Sequence, residues 1–309
     1  MRRTNQEFQF CDPKANRMTR HVAVIGAGIV GISTALWLRR AGDDVTVIDR
    51  GQPGTGTSHG NAGVLAACSM VPVTGPGLAR QAPQMVLDSN SPLFLRWPYL
   101  PRLLPWLRRY MAHANDADTR RIAHGLTQIV SDTVDQHKSL CSDLGLSDWV
   151  TESDYCFAYK NRAAFEAESY AWGLRAEAGF VPDMIDGKAV QDYEPNLWHG
   201  ITCLAVMKQH GFIRNPGGYV QALAKAFVAG GGKIMQADVT DFELTDGQIA
   251  RVQTNAGTVA CDAVVLATGV WSKPMMAKLG IKVPLEAERG YHIVFEDATG
   301  ARGAWGFYC

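Results

Sequence analysis

Three glycines spaced Gly26-x-Gly28-x-x-Gly31, with Asp49 following 21 residues after Gly28, are the residues whose types and spacing point most clearly to chemistry. The chemistry is ligand holding rather than bond breaking. Gly26 permits a tight strand-to-helix turn, Gly28 lets the backbone approach a pyrophosphate, and Gly31 lets the helix lie close to the sheet. The helix start then presents N–H groups and positive partial charge to phosphate oxygens. Asp49 is placed to accept hydrogen bonds from a ribose diol, and an acid there disfavours the 2′-phosphate of NADP.

Those residues need a strand, a helix and a second strand to hold them. His21–Ile25 is a short apolar run, the spacing predicts a helix over 32–40 that ends at Ala41-Gly42, and Val45–Ile48 reads as a second buried strand. Together they make a βαβ unit. Further along, residues 51–77 read as a Gly/Ser/Thr/Pro loop broken by a short strand near Val64–Ala66. Residues 91–110 mix prolines, aromatics and arginines, and suit a membrane contact or a substrate lid. A helical insertion packed on the core is the simpler reading.

Residues 119–144 place Ile122, Leu126, Ile129, Thr133, His137, Leu140 and Leu144 near one helical stripe, with His137 as a core histidine. Strands are expected over 154–161 and 201–214, with a helical piece over 163–178 between them. A helix over 219–228 leads to a sheet-rich run from Lys233 to Ala260, whose turns at Asp246-Gly247 and Asn255-Ala256-Gly257 define a β-meander. Ala263–Ala267 is another apolar strand, stopping at Thr268-Gly269.

Bulk composition excludes several classes. Across 309 residues, 30 basic and 30 acidic side chains cancel, so no basic excess favours a nucleic-acid partner. Seven scattered cysteines, odd in number and never spaced C-x-x-C, argue against a disulfide framework or a zinc site and leave no metal expected. They point to a reducing, cytoplasmic setting, with peripheral contact to the inner membrane face left open. No apolar run is long enough to span a bilayer. Residues 1–19 lack an apolar h-region and read as a disordered leader, with Met18 an alternative start to Met1.

Two further segments decide which dinucleotide. Thr55-Gly56-Thr57-Ser58-His59-Gly60-Asn61-Ala62-Gly63 and Ala267-Thr268-Gly269-Val270-Trp271-Ser272 resemble the loop after the second strand and the Ala-Thr-Gly-x-Trp-Ser motif of flavin-dependent D-amino-acid dehydrogenases and glycine oxidases. That group lies within the wider D-amino-acid oxidase superfamily. Shorter matches are Glu194-Pro195-x-Leu197, Gly211-Phe212-Ile213-Arg214-Asn215-Pro216 and Arg289-Gly290-Tyr291-His292. The resemblance runs from about His21 to Phe295, and there is no second GxGxxG of the kind disulfide reductases carry.

The resemblance implies FAD. The cofactor-binding residues it implies begin with Val24, Ile25, Gly26, Ala27, Gly28, Ile29, Val30 and Gly31 on the turn. Asp49 and Arg50 follow at the second strand, then Thr57, Ser58, His59, Asn61, Ala62 and Gly63 in the loop. Val239, Ala267, Thr268, Gly269 and Trp271 complete the set. Ser58 would bond a phosphate, and Asn61, Ala62 and Gly63 would lie against the isoalloxazine edge. The implied reaction is oxidative deamination of an amino acid, with hydride passing from the α-carbon to flavin N5 and a quinone or oxygen as electron acceptor. No nucleophile–base pair is apparent. Arg289, Tyr291 and His292 are candidates to clamp the substrate carboxylate, with His59 and His210 as weaker alternatives.

The expected fold class is α/β with an α+β second domain. An FAD-binding Rossmann-like parallel sheet with a β-meander, over 20–80 and 215–282, is joined to an antiparallel-sheet substrate or cap domain over 81–214 and 283–309. Family members continue well past Cys309, and residues 296–309 stop resembling them, so the chain reads as truncated, with weak FAD retention expected. A non-catalytic remnant that at most binds a nucleotide is the alternative, and an NAD-dependent Rossmann dehydrogenase is the less favoured one.

Overall fold

The structure is a computed structural model, and it describes residues 19–78, 97–287, Gly290 and the backbone of Gly306–Tyr308. The leader lies outside the described residues. The chain divides into two compact units, Met1–Asn61 with Asn215–Arg289, and Ala62–Arg214 with Gly290–Cys309.

In the first unit the apolar run becomes strand β1 (His21–Ile25), and the second becomes β2 (Asp44–Asp49). β1 runs parallel to β2 on one side and to β11 (Ala263–Leu266) on the other. β7 (Lys233–Gln236) adds parallel to β2, giving the order β11-β1-β2-β7. Val22, Ala23, Val24, Val45, Val47 and Ile48 are buried, as expected for parallel strands covered on both faces. The helix Ile29–Arg40 begins a turn earlier than its periodicity suggests and buries Ile32, Ala35 and Leu36 against the sheet.

The helix Pro216–Ala229 starts at Asn215, whose side chain accepts the Gly218 N–H, and has proline in its first turn. The meander is a separate antiparallel sheet of β8 (Val239–Thr245), β9 (Gln248–Thr254) and β10 (Gly257–Ala260). Lys233–Gln236 belongs to the parallel sheet instead, since its apolar Ile234 and Met235 continue the sheet beyond β2. Phe242, Val252 and Cys261 join Ala23, Ile25 and Ile48 in one core cluster.

The second unit is built on β6 (Cys203–Ile213). It pairs antiparallel with β4 (Val150–Tyr159), with β3 (Val64–Leu65) and with β5 (Asp183–Asp186), which the sequence reading did not anticipate. β12 (Gly306–Tyr308) runs parallel to β4. One face of β4 and β6 carries Tyr155, Phe157, Tyr159, Ala205 and Met207 in a cluster with Cys68 and Trp172. The opposite face carries Cys156, Leu204 and Val206 with Val190.

The single helical stripe expected over 119–144 is two helices, Asp116–Val130 and Thr133–Ser142, broken at Ser131-Asp132. The break changes the phase. Ile129 is 73% exposed, while Val134, Leu140 and Cys141 are buried. Likewise 163–178 is two helices, Arg162–Glu166 and Ser169–Glu177. Residues 97–112 form a 3-10 turn and the helix Leu100–Ala112, which half-buries Leu100, Leu103, Trp106, Leu107, Tyr110 and Met111 and exposes Arg102, Arg108 and Arg109, while residues 91–96 lie outside the described residues.

A dinucleotide cleft and its family

The glycine turn works through atoms that leave no room for a side chain. Gly26 has φ +109°, and a Cβ there would come within 2.5 Å of the Ala267 carbonyl oxygen. A Cβ on Gly31 would stand 1.8 Å from the Gly26 carbonyl oxygen. These contacts bring β1, the helix start and the end of β11 together. Gly28, at the N-cap, has no side chain to cap the helix and the first turn has no acid, which leaves the terminus suited to an anion.

Asp49 organises the other wall. Its Oδ2 accepts the Ala27 N–H at 2.7 Å and its Oδ1 accepts the Gly51 N–H at 2.8 Å. An ionised carboxylate has about four acceptor sites, so two remain for hydroxyls of a ribose. Ser58 is buried, and its Oγ accepts the Ile29 N–H at 3.0 Å, which leaves its hydroxyl proton to donate to a further acceptor. The Arg50 guanidinium lies over the Trp271 ring, 4.8 Å from its centroid. Thr268 Oγ1 and Ser272 Oγ are 2.9 Å apart, bracing the turn through Gly269, which has φ +55°.

These groups border a cleft of about 510 Å³ at the C-terminal ends of β1, β2 and β11, a size ordinary for a cofactor site. It opens where β11 and β2 flank β1, the place where open parallel sheets hold ligands. Ile25 to Val30, Asp49, Arg50, Thr57, Ser58, Val239, Ala267 to Gly269 and Trp271 all line it. Val24 and Gly31 do not, being buried in the sheet and behind the turn.

His59 and Asn61 are exposed and also outside the lining. The His59 N–H donates to Gly56 O, and Asn61 Nδ2 donates to Thr57 O at 3.2 Å. Ala62 and Gly63 belong to the second unit, where Gly63 O accepts the Ile213 N–H beside β3.

Sequence reasoning missed Gln52, Gly54, Ala237, Pro274 and Met275 in the lining. The Gln52-Pro53-Gly54 turn was the available signal. Gly54 has φ +75°, and its N–H donates to Ala27 O at 3.0 Å. Pro274 and Met275 sit on the short helix Ser272–Lys278, whose approach no local pattern predicts.

Arg289, Tyr291 and His292 lie outside the described residues. His210 is placed, and its geometry is structural. The Cys68 N–H donates to His210 Nε2 at 3.1 Å, and His210 Nδ1 lies 2.9 Å from Lys208 O. Nε2 is thus an acceptor and Nδ1 carries the proton. The ring stacks on Tyr155, and burial lowers its pKa from the ordinary histidine value. His137 is half-buried and is shifted down for the same reason. Among the described residues no cluster of His, Cys, Asp and Glu suits a metal. Among the described residues Cys68, Cys141, Cys156, Cys203 and Cys261 are buried.

A βαβ unit with this turn and acid defines a dinucleotide-binding protein of the Rossmann-like kind. The DAO family profile, described as FAD dependent oxidoreductase, matches residues 21–307. The chain belongs to that family. The match runs past Phe295, where the resemblance read from the sequence alone ended.

Among curated relatives, a D-amino-acid oxidase of Bradyrhizobium diazoefficiens is 36% identical over 289 residues, covering 92% of this chain and 68% of the relative. A D-amino acid dehydrogenase of the same organism is 29% identical, covering 91% of this chain and 68% of the relative. In fold the chain is similar to glycine oxidase from Bacillus cereus, with TM-score 0.55, 20% identity, and coverage of 84% of this chain and 58% of that one. It is also similar to L-amino acid deaminase from Proteus myxofaciens, with TM-score 0.58, 18% identity, and coverage of 87% and 50%. The chain therefore spans little more than two thirds of the curated relatives and under two thirds of these solved chains.

The residues of the cleft fit the family's FAD. Gly26 and Gly31 admit no Cβ, the helix start faces the cleft without an acid, and the Asp49 carboxylate keeps acceptor capacity for a ribose.

Proposed function

We propose that the protein is an FAD-dependent oxidoreductase acting on the CH–NH2 group of an amino acid, with the cleft of the first unit holding the adenosine-diphosphate half of FAD. The reading is supported above all by the pairing of the Gly26–Gly31 turn with Asp49 inside a chain of this family. Asp49 takes the ribose diol, the first-turn amides of the helix Ile29–Arg40 take the pyrophosphate, and Ser58 adds a hydroxyl donor beside them. Trp271 and Arg50 form the wall next to Asp49. The first unit is thus the cofactor domain, and the second, with its antiparallel β3-β6-β4 ladder, is the substrate domain. The setting is cytoplasmic.

When bound, FAD supplies the acceptor for a hydride leaving the substrate α-carbon. The protein's part is orientation: the substrate must be held with a neutral amine and its carboxylate clamped. The imino acid left behind adds water to give a keto acid and ammonia. Arg289, Tyr291 and His292 are the proposed clamp, by resemblance to the family's Arg-Gly-Tyr-His element. The electron acceptor is a quinone or oxygen.

The test is anaerobic mixing of the FAD-loaded protein with D- and L-amino acids, glycine, sarcosine and proline. Bleaching of the flavin band by one of these classes supports the reading and names the substrate. A bound flavin that none of them reduces contradicts it.

A further inference from the structure

His210 is a buried titratable group that the cofactor cleft does not use, and both of its ring nitrogens are committed. The Cys68 N–H donates to Nε2 at 3.1 Å, while Nδ1 faces Lys208 O at 2.9 Å. A backbone N–H can only donate, so Nε2 carries no proton and the ring is neutral. The two bonds hold different segments. On one side Lys208 and Gln209 bulge out of β6 opposite Asp154, since Ser153 pairs with His210 and Tyr155 with Met207. Gln209 there has φ +62°, and the Nδ1 bond spans it. On the other side is the turn after β3, closed by the Ser69 N–H on Ala66 O and burying Ala67, Cys68 and Met70.

We propose that His210 is a proton-operated latch, which when neutral holds the turn Ala66–Met70 on β6 and when protonated releases it. An imidazolium donates at both nitrogens, so the Nδ1 bond to Lys208 O survives protonation and the bulge stays closed. At Nε2 the new proton meets the Cys68 N–H, and that amide loses its partner. The surroundings set the balance. Burial disfavours the charged ring, against the Lys208 carbonyl and the Asp154 carboxylate on β4, which favour it. Asp154 is itself engaged by the Lys208 ammonium and the Tyr193 hydroxyl. From the helix Ser169–Glu177 the Arg175 guanidinium bonds the Cys68 thiol, so protonation adds a second cation along the same line. Tyr155 stacks on the ring and Phe180 meets its edge. Opening the turn lets water reach the imidazolium and removes the clash, so local opening takes up a proton. This inference concerns the second unit alone and is independent of the proposed reaction.

The test is amide hydrogen exchange of the full chain, read at Cys68 by nuclear magnetic resonance and expressed as protection relative to the intrinsic rate at each pH. An ordinary histidine pKa of about 6.5 in the open state makes opening up to about thirtyfold more frequent at pH 5.0 than at pH 7.5. The amides of β4 and of the rest of β6 are expected to stay protected over that range. His210→Gln has no proton to take up, so protection at Cys68 becomes independent of pH. Constant protection at Cys68 in the wild type overturns the proposal, and so does a pH-driven loss that persists in His210→Gln. A loss shared equally by Cys68 and the β4–β6 ladder also overturns it, because the whole unit would then be unfolding. The wild-type imidazole nitrogen shifts need no variant: Nε2 is expected without a proton at pH 7.5, and a protonated Nε2 there contradicts the latch.

Discussion

The Ser58 hydroxyl oxygen accepts the backbone N–H of Ile29 at 3.0 Å, pinning the loop after β2 to the first residue of the helix that faces the cleft. One buried side chain therefore sets the distance between the two walls that would meet a pyrophosphate. Ser58→Ala leaves that N–H without its partner, at a cost of about 1 kcal/mol, a several-fold loss in FAD affinity. Flavin fluorescence titration measures it, and an unchanged dissociation constant would show that the hydroxyl has no part in the site.

Gly31 is constrained by sterics alone. Its Cβ would overlap the Gly26 carbonyl oxygen at 1.8 Å, so Gly31→Ala forces the helix away from the sheet. A loss of about 3 kcal/mol or more is expected, visible as a thermal midpoint many degrees lower and no retained flavin. Gly42→Ala is the matched control. That position has a positive φ but nothing within 4 Å of the added methyl, so only backbone strain of about 1 kcal/mol should appear.

Asp49→Asn keeps the shape and removes the charge. The carboxylate accepts from both Ala27 and Gly51, and an amide turns one accepting oxygen into a donor facing an N–H. We expect a loss of about 1.5–3 kcal/mol in FAD binding, ten- to a hundredfold or more, with a smaller loss in stability. Equal affinity in the variant would remove Asp49 from the site.

His210 makes stability depend on pH. Burial lowers its folded-state pKa, while the unfolded chain keeps the ordinary value. Above about 6.5 both states are neutral and the contribution is full. Below it the unfolded state takes up protons first, so stability falls as pH falls toward the folded-state value. His137 adds to the same trend. Urea midpoints between pH 8 and 5 should decline, and His210→Gln should flatten the decline. A midpoint that rises over this interval would mean His210 is charged in the fold.

The cofactor half of the fold was legible in the sequence because its signals are local. Gly26, Gly28, Gly31 and Asp49 lie within one βαβ unit, where turn geometry and apolar runs dictate the structure. The cleft's far wall was legible only in part. Trp271 was reached through a motif, but Pro274 and Met275 arrive through the strand order β11-β1-β2, a long-range pairing that no window contains. The helix expected over 119–144 broke because Ser131-Asp132 interrupts it and re-phases the apolar face onto Val134 and Leu140. His210 was ambiguous for a related reason. Its partner, the Cys68 amide, lies 142 positions away.

We propose that the cleft between Asp49 and Trp271 holds the adenosine-diphosphate half of FAD. Competition at equilibrium tests it most directly, with FAD, ADP and FMN titrated against the full chain and followed by flavin fluorescence. FAD is expected to bind at one site, ADP to displace it, and FMN, which lacks the adenylate, neither to bind tightly nor to compete. FMN binding as well as FAD, or FAD binding untouched by excess ADP, would contradict it.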